Sequence, residues 1–542
     1  MSETILPGVL IEVRPEGLIV PGGVTVGTLG VVGTAAKGPG GSAELLGSYT
    51  EAVATFGIYD RWVDGSSGEL TLVRALEQAY RHGASSVYAV RVSDGNDAQA
   101  SVVLGAPGGD CVRIDALTPG TWGNGLTVEV TTADANAVVR DEEVDSLTLG
   151  HTPVVPSAVN RIVVRPAGGG ADLVPGIVYD TAPNPSQVSI NTGSGALNFG
   201  TAPGGADTVL ATYTVARSSA RKVTIRSPQA EEAYSIVSGD DLVADLAAIS
   251  ALAAGVPLAA AGELPDEVAE TPLTGGANGA AGADYQAGLD VLLTVPAHII
   301  VAAGQDHSFG DDLAAHCALA SGDEIKRERI AVVGTALGED LSDIQAHTLD
   351  SDRVVLVAPG IVAADRSQSP PTPVTLPGAY AAAAIAGKLS SLSAHISPTN
   401  KTLPVDDLET TFTRAELKQL VLGRVLVLEE RQGFRITKGI TTSTNTAWHQ
   451  ITTRRIVDYA KFGVRSAATP YIGLLNNERV RAAMRATINS FLATMVDDEM
   501  LVSYELDVSA TRAEEIRGIA RVELVLRPTF SIDFIKVTMF LE

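Results

Sequence analysis

Hydrophobic and polar positions alternate near both ends of the chain, and a period of two is the signature of a strand. Toward the C-terminus, Val522, Leu524 and Leu526 alternate with Glu523, Val525 and Arg527. Pro528 interrupts, Phe530, Ile532 and Phe534 resume the alternation, and the apolar parity then flips to Ile535, Val537, Met539 and Leu541. Such a flip marks a bulge or a change of face. At the other end, Ile5, Val9, Ile11 and Val13 share one parity, with Glu12 and Arg14 on the other. A long apolar strand left unpaired at a chain end is an aggregation hazard. Two readings follow: the arms complete sheets in neighbouring subunits, or each pairs within its own domain.

Between the arms the periodicity changes several times. Residues 24–34 read as a strand, 69–82 as a helix with Leu70, Val73, Leu76 and Tyr80 on one face and Gly83 as its stop, and 87–92 as a second strand. This is a β-α-β unit with parallel pairing. Residues 127–226 are short alternating runs broken by Gly, Pro, Asn and Ser, the texture of an inserted all-β domain. Residues 231–252 read as a helix and 253–282 as an irregular crossing. Strands at 298–303, 329–333 and 353–358 then alternate with helices at 311–321 and 340–349, which implies a parallel sheet covered on both faces. Residues 365–375 read as a Pro/Ser linker. In the last domain Thr413-x-x-Glu416 is a capping box, 425–428 a strand, and Asn477 the cap of a helix over 478–495.

The predicted class is therefore a mixed α/β and α+β multidomain chain. It has an N-terminal arm (1–22), a parallel-sheet α/β core (23–126 and 227–364) and a β-rich insert (127–226). A C-terminal α+β domain (365–520) and a terminal linker strand (521–542) complete it.

Composition narrows the function. The net charge of −24 over 542 residues opposes nucleic-acid binding, which needs basic surface against phosphate. That charge is uneven: from Phe412 to Glu542 there are 18 Lys+Arg against 15 Asp+Glu, and elsewhere 21 against 48. The C-terminal quarter is thus a mildly basic working end on an acidic molecule. No run reaches the roughly 18 apolar residues of a membrane span, and no basic and apolar leader precedes the arm. Two cysteines far apart in sequence, Cys111 and Cys317, suit reduced thiols better than a disulfide framework.

Candidate chemistry is sparse. Gly275-Gly276-Ala277-Asn278-Gly279 lacks the Lys-Ser/Thr of a phosphate loop, and the glycines at 27, 30 and 33 have the wrong spacing for a dinucleotide fingerprint. His307, Asp311, Asp312 and His316 can be drawn as a metal cluster, although His316 beside Cys317 fits packing better. An enzyme or nucleotide-binding protein would use the carboxyl edge of the parallel sheet, with Gln305, Asp306 and Asp365 in position. Arg454-Arg455 reads either as a pair within one surface strand or as a contact to carboxylates of another subunit. Tyr285, Trp122 and Trp448 read as core anchors.

A run of short motifs in order resembles one family. Pro7-Gly8-Val9-Leu10-Ile11-Glu12 is similar to its N-terminal arm, and residues 30–39 to its first core strand and turn. Pro119-Gly120-Thr121-Trp122-Gly123-Asn124, Leu273-Thr274-Gly275-Gly276 with Asp284-Tyr285, and the block from Gly433 through Trp448, Arg454-Arg455 and Asn476-Asn477 to Pro528 complete the match. The chain resembles the contractile tail sheath family of phage tails, R-type bacteriocins and extracellular contractile injection systems. The resemblance implies a structural protein without enzymatic activity or cofactor. Its subunits form stacked hexameric rings around an inner tail tube protein, ending on baseplate and tail terminator proteins, with no nucleic acid or membrane partner. The setting is a virion tail, or a contractile particle assembled in the cytoplasm. It also implies that Val9, Ile11, Val13, Phe530, Ile532, Phe534, Val537 and Met539 belong to arms joining neighbouring subunits. Arg479, Arg481 and Arg485 would face the tube; as plain physical chemistry they are equally a solvated basic edge on a core helix.

Overall fold

The computed structural model describes residues 27–63 and 69–540, so Val9, Ile11 and Val13 lie outside the described residues. The chain forms two compact units: the described parts of Met1–Ala35, Gly40–Val92 and Ala283–Glu542, and residues Ala36–Pro39 with Ser93–Gly282.

The first unit is built on one eight-stranded sheet. Its strands are β1 (Leu29–Gly33), β2 (Ala43–Leu46), β3 (Val87–Arg91), β4 (Ile299–Ala302), β5 (Ile330–Gly334), β6 (Val354–Ala358), β7 (Val425–Glu430) and β8 (Phe434–Ile436). Their order is β2-β3-β1-β4-β5-β6-β7-β8. The strands from β3 to β7 run parallel, and antiparallel β2 and β8 close the edges. Strands β1, β5 and β6 are buried along their whole length, which is why they read as unbroken apolar runs rather than alternations.

Helices cover both faces. On one, α2 (Tyr285–Leu292), α3 (Gly310–Ala320) and α5 (Arg414–Leu422) send Leu289, Leu292, Leu313 and Leu420 into a core with Val90, Ile300, Leu356 and Val427. On the other, α1 (Leu72–Arg81) packs against α4 (Gly378–Ser390), which also lies on β5 and β6. Helix α4 is alanine-rich because it is buried almost all round. At Gly387 a Cβ would stand 2.2 Å from the Ala79 carbonyl oxygen, so the two helices approach closer than any side chain allows.

The fold departs from the sequence pattern in three places. Residues 425–430 are not a strand of a separate last domain; as β7 they extend the core sheet beside β6. Residues 365–375 are not a linker: Ile361–Asp365 and Thr372–Leu376 pair as an antiparallel hairpin, and the Pro/Ser cluster is its turn. Residues 231–236 are a strand paired with Arg221–Arg226, and the helix spans only Gly239–Ile249, capped by Ser238. Alanine-rich composition masked that junction, since Tyr234 and Ile236 fit either period.

The second unit is mostly β. A three-stranded sheet joins Ala253–Pro257, Gly109–Ala116 and Ser101–Ala106; a four-stranded sheet joins Glu231–Ile236, Arg221–Arg226, Thr127–Thr132 and Val268–Pro272. Residues 127–226 contain strands and two single-turn 3-10 helices. The β unit nevertheless reaches well beyond the expected insert, because strands at both of its flanks pair with one another.

The C-terminal part of the first unit consists of α6 (Ile451–Ala468), α7 (Glu478–Asp497), β9 (Leu501–Ser509) and β10 (Arg521–Pro528). Thr413 forms the expected capping box with Glu416, and Asn477 caps α7 through the Val480 N–H.

Candidate assembly interface

Helices α6 and α7 pack tightly because a glycine faces an aromatic ring. A Cβ on Gly463 would lie 1.9 Å from Phe491, whose ring stacks on Tyr459 with centroids 5.9 Å apart. Val480, Met484, Ile488, Phe491, Leu492 and Met495 recur at helical spacing on α7, and all but Val480 are buried.

The hairpin β9–β10 lies on this helix pair. Tyr504, Leu506 and Val508 of β9 and Val522, Leu524 and Leu526 of β10 face the helices and are only half-buried. Among the described residues the two strands pair only with each other, so both outer edges are open. A cleft of about 280 Å³ runs beside β10, lined by Val457, Val464 and Ala468 of α6 and by Leu524 and Leu526. The turn between the strands is fixed by Thr511 and Glu514 in a capping box, with Arg521 paired to Glu514 at 2.6 Å.

The alternation predicts a strand over residues 521–542. Among the described residues only Arg521–Pro528 forms one, and it pairs with its own β9; residues 529–540 carry no regular structure. The missing N–H of Pro528 and the parity flip after Phe534 explain the break. Phe530, Ile532, Phe534, Val537 and Met539 are all exposed, Phe534 and Met539 at 85%. They form an apolar tail beside an incomplete sheet.

The arginine expectations divide. Arg479 and Arg485 are exposed on α7, whereas Arg481 is partly buried and donates to Glu515 at 3.0 Å and to the Asn476 side chain at 2.9 Å. Arg454 and Arg455 are neither in a strand nor at the surface. They are buried on α6, because that helix is clamped to the amino ends of the core strands. Asp458 accepts a two-pronged contact from Arg353 at 2.9 and 3.1 Å and a further bond from Arg454 at 2.8 Å. Arg454 also reaches Asp352 at 2.8 Å and stacks over Trp448. Arg455 donates to the Leu392 carbonyl at 2.9 Å, and burial draws its guanidinium down to about 10. Glu328 receives Arg465 at 2.8 Å and Lys461 at 3.1 Å. Asp458 was legible only as the i+4 partner of Arg454 once the segment is known to be a helix.

This network sets an acid response. Burial alone would raise the Glu328 carboxyl, but hydrogen bonds from Arg465, its own backbone and Lys461 hold it near 2, below the ordinary 4.5. Its contribution is complete above the unfolded value and is lost as pH falls from about 4.5 toward 2. The expected magnitude is at most about 3 kcal/mol. Urea unfolding across this window measures it, and Glu328→Gln is expected to flatten the pH dependence.

Of the residues of the alternative chemistry, Asp306, Asp365, His307 and His316 are engaged in structure, whereas Asp311 and Asp312 are exposed on α3. Asp306 caps the turn at Ser308, and Asp365 accepts from the Trp62 N–H at 2.8 Å and from Ser367. His307 contacts Glu339 at 2.9 Å, and His316 accepts from Arg329 at 3.0 Å, a cation where a metal would need to sit. Tyr285 is buried and donates to the Ala303 carbonyl at 2.8 Å, closing the carboxyl edge beside β4. Among the described residues no group of His, Cys, Asp and Glu could hold a metal ion, and no helix is long and apolar enough to cross a membrane.

Residues 278–442 match the phage tail sheath protein central domain, and residues 443–542 match the phage tail sheath C-terminal domain. No curated protein matches the sequence. Among solved structures, the chain is similar to the sheath tail protein from Desulfitobacterium hafniense (TM-score 0.59, 13% identity, covering 96% of this chain and 100% of that one). It is also similar to the sheath tail protein from Listeria innocua (TM-score 0.59, 12% identity, covering 94% and 93%). The helical sheath of the anti-feeding prophage in its contracted state gives a TM-score of 0.51 at 12% identity over 100% of both chains. At these identities the likeness is one of fold: a mixed α/β multidomain architecture. The two consecutive domain matches give the lineage: residues 278–542 carry the central and C-terminal domains of phage tail sheath proteins, homologous to the contractile sheath subunits of phage tails and extracellular contractile injection systems.

Proposed function

We infer that this chain is the repeating subunit of a sheath of stacked hexameric rings, joined to its neighbours by strand addition. The observation that carries this reading is the open two-stranded hairpin lying beside an exposed apolar tail. A two-stranded sheet is marginal alone. Each added strand contributes backbone hydrogen bonds worth roughly 0.5–1.5 kcal/mol net apiece and fills the cleft beside β10. The N-terminal arm (1–22), carrying Val9, Ile11 and Val13, and the C-terminal tail are the strands that supply it. The eight-stranded α/β core then forms the body of each ring, and the C-terminal part from α6 onward faces an inner tube. Shortening is a change between two packings of rigid subunits that keeps the arms engaged. Baseplate and terminator proteins cap the cylinder.

Negative-stain microscopy of the purified protein tests the assembly. Hollow cylinders are expected, and a population of small dispersed particles at every concentration contradicts the reading. The tube contact is tested separately. Exposed Arg479 and Arg485 extend the basic end of the molecule toward the tube, whereas Arg481 is committed to Glu515. Replacing both Arg479 and Arg485 by Glu is expected to leave cylinder formation intact and to release the tube in co-sedimentation. Retention of the tube would assign the two arginines to a solvated face.

A further inference from the structure

We propose that Asp533 is the anchorage at which the C-terminal arm leaves its subunit, so that tension on residues 534–540 passes through this side chain into the core sheet. The proposal rests on the reading of the tail as an inter-subunit connector and adds where that connector is fastened.

The contrast between adjacent residues is abrupt. The Asp533 side chain is 12% exposed, and Phe534 beside it is 85% exposed. Asp533 Oδ2 accepts from Gln450 Nε2 at 3.2 Å and faces Lys438 Nζ at 3.4 Å, while Oδ1 accepts from Ser531 Oγ at 3.1 Å. Lys438 Nζ also lies 5.5 Å from the centre of the Phe534 ring. Upstream, the Thr529 N–H bonds the Met500 carbonyl at 3.1 Å. Beyond Phe534, residues 535–540 make no hydrogen bond or ion pair among the described residues, and Ile535, Val537, Met539 and Phe540 are exposed. The tail is therefore fastened up to Asp533 and free after it.

The two partners sit on elements suited to take a pull. Lys438 follows the edge strand β8 of the eight-stranded sheet, and Gln450 is the N-cap residue of α6. Helix α6 is in turn fixed to the starts of β5 and β6 through Glu328 and Asp458. Force on the arm thus reaches the core sheet without first loading the β9–β10 hairpin, whose hydrogen bonds would open one pair at a time. With most of both charges removed from water, the Asp533–Lys438 pair is screened less than a surface pair, while Lys438, 19% exposed, still reaches water when its partner is lost.

The experiment uses full-length protein and measures pelletable cylinders together with monomer melting. Asp533→Asn and Asp533→Ala are each expected to lower cylinder yield by about tenfold or more, with monomer melting unchanged. The reciprocal swap, Lys438→Asp with Asp533→Lys, is expected to restore the yield. Wild-type yields from the single variants overturn the proposal. So does a loss of yield that tracks a loss of monomer melting and that the swap fails to restore. A chain ending at Asp533 separates the two readings. If it assembles like the full chain, the connector reading itself fails; if it does not assemble while the Asp533 variants do, the anchorage alone fails.

Discussion

Removing residues 529–542 is expected to leave a folded subunit that no longer forms cylinders. Apart from the bonds of Thr529 to Met500 and of Asp533 to Gln450 and Lys438, the deleted segment contributes little to its own body: Ile532, Phe534, Ile535, Val537, Met539 and Phe540 are each more than 70% exposed. Monomer melting should therefore stay close to that of the full chain. In the assembly, the same residues would add a strand to an open hairpin edge. Four or five backbone hydrogen bonds at roughly 0.5–1.5 kcal/mol each, with apolar burial added, place the expected loss at about a hundredfold or more in association. Analytical sedimentation of the truncated and full-length chains reads this directly. Deleting residues 1–22 is expected to act in the same direction, since one connection needs strands from both ends. A truncated chain that pellets as cylinders at the full-length concentration would show the tail to be dispensable.

Asp458→Ala should give the largest loss of subunit stability. Asp458 is the shared acceptor of Arg353 and Arg454, whose side chains are only 10% and 7% exposed. Its removal leaves buried Arg353 without a carboxylate and Arg454 with Asp352 alone. Stranding a buried charge costs about 3–5 kcal/mol. The expected result in urea unfolding is a lower midpoint with little change of slope. Replacing Asp458, Arg353 and Arg454 together by apolar residues of similar volume should recover much of the loss, because desolvation of all three charges is then avoided. A loss below about 1 kcal/mol for Asp458→Ala would mean that the arginines find water or another acceptor.

Much of the fold was legible in the sequence where a single physical signal dominated. The continuous apolar runs at β1, β4, β5 and β6 marked buried parallel strands, and Thr413, Asn477 and Gly83 marked helix ends through their capping chemistry. Legibility failed where two signals competed. The pattern around Tyr234 and Ile236 sits in alanine-rich sequence that favours helix locally, and only pairing with Arg221–Arg226 decides for strand. Asp365 and Ser367 gave the composition of a linker, yet their side chains bond within a tight hairpin. Strand β7 reads like any other short apolar run, and nothing local says that it adds to a sheet whose preceding strand ends some 70 residues earlier.

The C-terminal strand was legible in type but not in its pairing. Alternation over residues 522–526 announced a strand, but its pairing with β9 inside the same chain follows from the turn built by Thr511, Glu514 and Arg521. Arg454 and Arg455 looked like surface charges because arginine is usually exposed. Their burial depends on Asp352 and Asp458 and on the Leu392 carbonyl, two of them remote in sequence. Asp533 carried no signal at all, being one acidic residue in an apolar tail. Its significance comes from Lys438 and Gln450, more than 80 positions upstream.

The most direct measurement is a cryo-electron microscopy reconstruction of the assembled particle, at a resolution that traces the backbone around β9 and β10. The predicted map shows the chain beyond Asp533 crossing to another subunit and hydrogen-bonding along an outer edge of that subunit's hairpin, with its apolar side chains turned toward α6. A map in which both edges of the hairpin face solvent, or in which each tail folds onto the subunit that bears it, contradicts the proposed mode of assembly.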